Sequence, residues 1–247
     1  MRLRCDNKPF VCNDYETRLE KNMANTSHAY ATDEQTFIEK NHATDTDPMV
    51  LTQIYQEHIN LAIWQNELTT AIEAESKHIL TTSPHFKAVL TAEADNIEAA
   101  LIDHSEPLST SPQLCQYIGT LVDMFSTLFE LKRVGLRLSA LDRAMCPKFH
   151  VDNVPCRLVT TFTGPGSQWL ENAIVDRSKL GAGSLGIADE ESGIMPNVEC
   201  INQLSSGDVA LFKGEGWFNN QGKGIVHRSP AVEKDQRRLV LTLDFME

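Results

Sequence analysis

The 247-residue sequence predicts an α+β fold, with a helical first half buttressing one face of a β-sandwich or barrel built from the second half. Three observations carry that expectation. Apolar residues recur at helical spacing up to about residue 128, and from Val134 the spacing changes to alternation. Gly-, Ser- and Pro-rich turns then separate a succession of short apolar segments. The length fits one domain with a helical annex. The boundaries read as a polar arm over 1–46, a helical buttress over 47–132 and a β core over 133–247.

Residues 1–46 are rich in Asn, Thr, Asp and Glu without a sustained apolar period, which predicts a loosely ordered arm. Asp47-Pro48 starts a helix, because proline suits the first helical position; Val50, Leu51, Ile54 and Tyr55 follow at helical spacing. Ile59–Trp64 fits either a continuation of that helix or a short strand. Glu67–Ile79 reads as a helix ending before Ser83-Pro84, Phe86–Leu90 as a strand, and Ala92–Ile102 as an Ala/Glu-rich helix. Ser111-Pro112 opens the strongest helix, with Leu114, Ile118, Leu121, Val122, Phe125 and Leu128 on one face.

Val134, Leu136 and Leu138 then alternate with Gly135, Arg137 and Ser139, a strand pattern. Further strands are expected at Lys148–Asp152, Arg157–Phe162, Cys200–Leu204, Val209–Phe212, Gly224–Arg228 and Arg238–Phe245. Turns at Gly164-Pro165-Gly166, Gly181-Ala182-Gly183, Ser206-Gly207-Asp208 and Gly214-Glu215-Gly216 divide them.

The formal net charge is −12, which argues against an electrostatic grip on nucleic acid or an anionic membrane. From Asp142 onward 14 acidic residues face 11 basic ones, so only −3 belongs to the β core. That near balance suits a pocket for an anionic small molecule. Met1–Cys5 lacks the apolar run of a secretory signal, and no stretch approaches the ~18 apolar residues of a membrane span. A cytoplasmic protein is expected, with its six cysteines (5, 12, 115, 146, 156 and 200) as free thiols or metal ligands rather than disulfides. Cys5 and Cys12 make a weak structural zinc pair. Buried thiols are the default for Cys115 and Cys200.

The chemistry gathers at His150-Val151-Asp152. Side chains two apart on a strand point the same way, so an imidazole and a carboxylate can meet at one point. His227, in Gly224-Ile225-Val226-His227 and followed by a Ser-Pro turn, is the second histidine that completes a two-histidine, one-carboxylate set. Such a set leaves positions open on a metal such as Fe(II). Cys146 lies four residues before His150, ~13 Å along an ideal strand, so it joins the ligands only if the chain bends at Pro147. With Cys146 included the set suits Zn(II) better.

Arg237 and Arg238 follow His227 by 10 and 11 positions, and either guanidinium can hold a carboxylate by a bidentate fork. Parity separates them. Leu239, Leu241, Leu243 and Phe245 form an apolar face, whereas Arg238, Val240, Thr242 and Asp244 form a mixed one that should look into a cavity. Arg238 is preferred, with Thr242 beside it; a bulge would exchange Arg238 for Arg237. The Gly-rich segments 164–169 and 181–186 lack the Lys-Ser/Thr of a phosphate loop and read as turns and a flap, with Trp169 and Trp217 as lid aromatics. Histidines 28, 42, 58, 78, 85 and 104 show no paired spacing and read as solvated or capping.

Cys146-Pro147-Lys148-Phe149-His150-Val151-Asp152, Thr163–Leu170, Val175–Leu180, Ala210–Glu215, Val226–Pro230 and Arg237–Phe245 together resemble a bacterial domain-of-unknown-function family, numbered 1826. The resemblance runs from about Asp47 to the C-terminus. Members are often encoded near zinc-responsive and metal-chaperone GTPase genes, which implies a zinc-limitation setting. More loosely, the order of parts resembles the Fe(II)/2-oxoglutarate dioxygenases of double-stranded β-helix (jelly-roll, cupin-like) fold. That second resemblance implies Fe(II) on His150, Asp152 and His227, with 2-oxoglutarate held by Arg238 or Arg237. A cupin-like zinc-binding protein without turnover is the alternative, and a metal-free scaffold showing its helical face to a protein partner is a third.

Overall fold

A computed structural model of the chain describes residues 40–93 and 95–246. Among them ten strands form two sheets. The larger contains β1 (His42–Asp45), β2 (Leu61–Trp64), β3 (Lys87–Ala92), β4 (Val134–Leu141), β5 (Cys156–Thr163), β8 (Val209–Lys213) and β10 (Arg238–Phe245), in the order β1-β2-β8-β5-β10-β4-β3. The smaller contains β6 (Gln168–Leu170), β7 (Asn202–Gln203) and β9 (Val226–Arg228), in the order β7-β6-β9. His150 extends the small sheet beyond β9 through an isolated antiparallel bridge to His227.

The helices are α1 (Thr70–Thr82), α2 (Ile97–His104), α3 (Glu106–Ser109), α4 (Pro112–Phe129) and the short α5 (Asp189–Ser192), with a 3-10 helix at Pro48–Tyr55. α4 forms where its apolar spacing demands, with Pro112 in its first turn and Leu114, Ile118, Leu121, Val122 and Phe125 buried. Its first free amides are met from α1: Glu75 accepts from Gln113 N at 3.3 Å and from Leu114 N at 2.7 Å.

Two apolar layers flank the large sheet, and strand parity assigns them. Leu136, Leu138, Leu158, Leu211, Leu239, Leu241 and Leu243 pack with the helices in the larger core. Val159, Ala210, Phe212 and Val240, on the opposite parity, pack with Trp169 of β6 in a second core between the sheets. Outside the small sheet, Leu170 and Val226 meet Phe149, Ile194 and Met195 in a third cluster.

From β4 onward the segments alternate between sheets: β4 large, His150 small, β5 large, β6 and β7 small, β8 large, β9 small, β10 large. This is a mixed α/β architecture with one large sheet, and α1–α4 lie on one side of that sheet.

Several sequence expectations change. His42–Asp45, placed in the polar arm, is a strand pairing parallel with β2, and Ala43 is in the core. The helix at Asp47-Pro48 is a 3-10 helix, and the Ile59–Trp64 segment is strand over Leu61–Trp64. The strand expected at Lys148–Asp152 contracts to the single bridge at His150, between a bend at Lys148 and another over 153–155. β6 lies where only a turn was read. Residues 1–39 of the arm, including Cys5, Cys12 and His28, lie outside the described residues.

Candidate metal centre

His150 and His227 face each other across the bridge, each donating its backbone N–H to the other's carbonyl at 3.0 Å. Their ring centroids are 4.5 Å apart. Each Nδ1 lies against a main-chain carbonyl, His150 to Lys148 O at 2.9 Å and His227 to Ile225 O at 3.1 Å. A carbonyl oxygen only accepts, so each Nδ1 carries the proton and each Nε2 is the nitrogen left for a metal. Both Nε2 atoms turn toward Asp152: His227 Nε2 is 3.5 Å from Oδ2 and His150 Nε2 3.9 Å from Oδ1. One ligand atom from each of the three lies within 4.8 Å of the others.

The electrostatics suit a cation. Burial alone would raise the Asp152 carboxyl, but His227, Arg157 and His150 around it bring it down to about 2, so it is ionised at neutral pH. Burial, then the neighbouring His227, lowers the pKa of His150 and favours the neutral ring that ligation needs. Two nitrogens and one carboxylate, already facing inward with their tautomers set, fit a divalent transition metal.

The surrounding backbone is closely packed. Glu215 N donates to Asp152 O at 2.8 Å. A Cβ on Gly214 would come within 2.2 Å of Val154 O and 2.6 Å of Asp152 O, so only glycine permits this approach. The Glu215 carboxylate accepts from Gly222 N and Gly224 N, tying the Asp152 loop to the segment that leads into β9. Phe212 packs edge-on against the His227 ring at 4.7 Å.

The two candidate arginines part company. The register shift beside Leu239 and Val240 places the extra residue, Phe162, on β5, so the alternation along β10 is unbroken. Arg238 therefore keeps the parity of Val240. It is 1% exposed, donates from Nη2 to Thr161 Oγ1 at 3.3 Å, and its Nε has no partner. Burial lowers its pKa to about 10, and among the described residues no carboxylate pairs with it. Thr242 lies four positions beyond Arg238 on the same face, opposite Val159. Arg237 turns away, donating to Pro84 O at 3.0 Å and lining an open groove of about 570 Å³ with Lys77, Thr81 and Gln236. None of the three metal-capable residues lines that groove.

Other residues depart from their expected places. Cys146 is exposed and outside the three-residue cluster. Trp217 is no lid: it packs with Tyr55 and Phe129 on the helix side of the sheet. Trp169 is a buried wall of the inter-sheet core, opposite His227 in register. His42 is not simply solvated; its ring meets Trp169 at 4.9 Å. Of the two thiols expected to be buried, Cys115 is and Cys200 is only partly so.

Arg157 went unrecognised in the sequence. It donates to Asp152 and to Asp244, and its only signal there was an arginine on the mixed-parity face of its strand.

The family described as "Protein of unknown function (DUF1826)" matches residues 45–244. The chain belongs to this family. No functionally curated protein matches it. Among solved structures the DUF1826 chain is similar to AviO1 from Streptomyces viridochromogenes Tue57 (12% identity, TM-score 0.42, covering 82% of this chain and 96% of that one). It is similar also to the dioxygenase for auxin oxidation 1 from Arabidopsis thaliana, solved with 2-oxoglutarate (9%, 0.44, 84% and 92%). A third is an oxidoreductase of the 2OG-Fe(II) oxygenase family from Burkholderia pseudomallei (9%, 0.41, 83% and 94%). Among the described residues no helix is long and apolar enough to cross a membrane.

Proposed function

We propose that this DUF1826 protein is an Fe(II)- and 2-oxoglutarate-dependent oxygenase. The observation that carries the reading is the pairing of two features between the same two sheets. One is the convergent His150, Asp152 and His227 set; the other is Arg238, a buried guanidinium that no carboxylate among the described residues pairs with. An unpaired cation is costly to bury, and an anionic ligand entering beside it would recover that cost.

In this reading His150 Nε2, His227 Nε2 and an Asp152 oxygen hold the metal. Arg238 takes the distal carboxylate of 2-oxoglutarate, with Thr161 and Thr242 beside it. Bound there, Fe(II) supplies the oxygen chemistry that protein side chains lack. The chain's own part is to fix both histidine tautomers, keep Asp152 ionised, orient the co-substrate and exclude water through the Phe212–Val159–Trp169 layer. The alternation of segments between sheets supports a double-stranded β-helix as the scaffold. A cytoplasmic setting and a small-molecule co-substrate, without nucleic acid, go with it.

A zinc-binding protein without turnover would use the same three ligands. Its distinguishing ligand is Cys146, and the exposed position of that thiol favours the oxygenase. The test is anaerobic reconstitution with Fe(II), then succinate formation from 2-oxoglutarate in air. Wild type should retain iron and form succinate, and Asp152→Ala should do neither. Unchanged turnover in that variant, or tight zinc with no 2-oxoglutarate affinity in wild type, would overturn the reading.

A further inference from the structure

The two histidines of the centre are fixed by the bridge between them and by their Nδ1–carbonyl bonds. Asp152 has neither support, since it sits outside regular strand where the chain turns. What holds its side chain is Arg157. The Nη1 of Arg157 donates to Asp152 Oδ2 at 2.7 Å. On the other side Nε and Nη2 grip Asp244 Oδ1 and Oδ2 at 2.6 and 3.1 Å. Arg157 and Asp244 are direct cross-strand partners on β5 and β10, so the grip is set by sheet register.

A guanidinium is planar and its five donors keep a fixed mutual geometry. Two of its nitrogens anchored on Asp244 therefore fix where the third points. Resting on the metal-centre reading above, we propose that Arg157 is the positioning residue of that centre: pinned from behind by Asp244, it occupies one oxygen of Asp152 and leaves the other to a divalent cation.

The charges are consistent with this role. A lone arginine beside a divalent cation would repel it. Here Asp244 offsets the guanidinium, so Asp152, Arg157 and Asp244 together carry the same single negative charge as an isolated aspartate. All three side chains are a quarter exposed or less, which limits screening by water. The net effect of Arg157 is then orientation rather than repulsion.

Co(II), an air-stable stand-in for Fe(II), tests this through binding affinity and through its visible absorption bands, which report coordination. Against wild type, Arg157→Met should raise the Co(II) dissociation constant about tenfold or more, in the range lost with an outer-shell partner. It should also shift the bands, as Asp152 is freed to offer both oxygens or neither. Arg157→Lys should not rescue, because an ammonium is a point donor that cannot span both carboxylates. Asp244→Asn should weaken binding as well, by leaving the guanidinium uncompensated, and that loss should shrink in high salt. Wild-type affinity and bands in Arg157→Met and Asp244→Asn would overturn the proposal, and a lowered melting temperature with those parameters unchanged would make Arg157 only a strand tie. If Arg157→Met does not fold, Asp244→Asn and Arg157→Lys carry the test. A wild-type protein that takes no Co(II) would instead sink the metal-centre reading itself.

Discussion

His227 and His150 donate their backbone N–H groups to each other's carbonyls, and that reciprocal pair places two imidazoles side by side before any metal arrives. Side chains of directly opposed residues share one face of a sheet. The ligand pair is therefore a product of sheet register, with the tautomers added by Lys148 O and Ile225 O. Replacing either histidine with alanine should leave the fold intact by far-ultraviolet circular dichroism. Metal affinity should fall by more than the ~10–100-fold typical for loss of an outer-shell partner. Equilibrium dialysis of both variants checks it.

Arg238 and Arg237 are neighbours with opposite expectations. Arg238→Met should cost 2-oxoglutarate affinity by about 10- to 100-fold, as expected for a lost charged hydrogen bond of ~1.5–3 kcal/mol. The ligand-free protein should at the same time become no less stable, because a buried cation lacking a carboxylate has gone. Arg237→Met should leave the affinity near wild type, since its side chain is turned to Pro84. Calorimetry on the metal-loaded proteins separates the two.

Gly214→Ala should act on the metal centre from the far side of the Asp152 loop. The added methyl meets the carbonyls of Val154 and Asp152, so the two segments must separate. The expected cost is about 1–3 kcal/mol, with weaker metal binding. Urea unfolding measures the first and metal titration the second; a silent Gly214→Ala variant would mean the loops pack more loosely than described.

How much of this was legible in the sequence follows from the range of each interaction. The β10 boundaries, the α4 face and the parity of Arg238 are local patterns of period 2 or 3.6, and the chain displays them directly. The bulge that could have exchanged Arg237 for Arg238 falls on β5, which β10 alone cannot reveal. β6 is short, directly follows the Gly164–Gly166 turn and pairs only with distant β7 and β9, so no local pattern marks it. β1 was missed because its strand character comes from pairing with β2, not from its own polar sequence. Arg157 shows the same limit. Its partners are 5 and 87 positions away, and no short-range pattern joins an arginine to an aspartate on the final strand.

Lys213 gives a pH-dependent prediction away from the metal. Burial lowers its pKa to about 8, and its Nζ has Gln56 O at 2.9 Å and the Trp217 ring at 5.0 Å as neighbours. Below pH 8 the lysine is charged both folded and unfolded, and the folded state bears the full cost of burying it. Between about 8 and its ordinary value of 10.5 the folded lysine is neutral while the unfolded one still binds a proton, so stability from this group rises with pH. Lys213→Met should therefore gain most over wild type near neutral pH, with the gain shrinking as pH rises through that window. Melting temperatures of both proteins from pH 7 to 10.5 follow the difference.

Anomalous diffraction from crystals grown anaerobically with Fe(II) locates iron in the protein. One ion should be found, bound by His150 Nε2, His227 Nε2 and an Asp152 oxygen at ~2.0–2.2 Å. Iron bound elsewhere, or these three side chains without an ion at saturating Fe(II), would contradict the metal-centre reading.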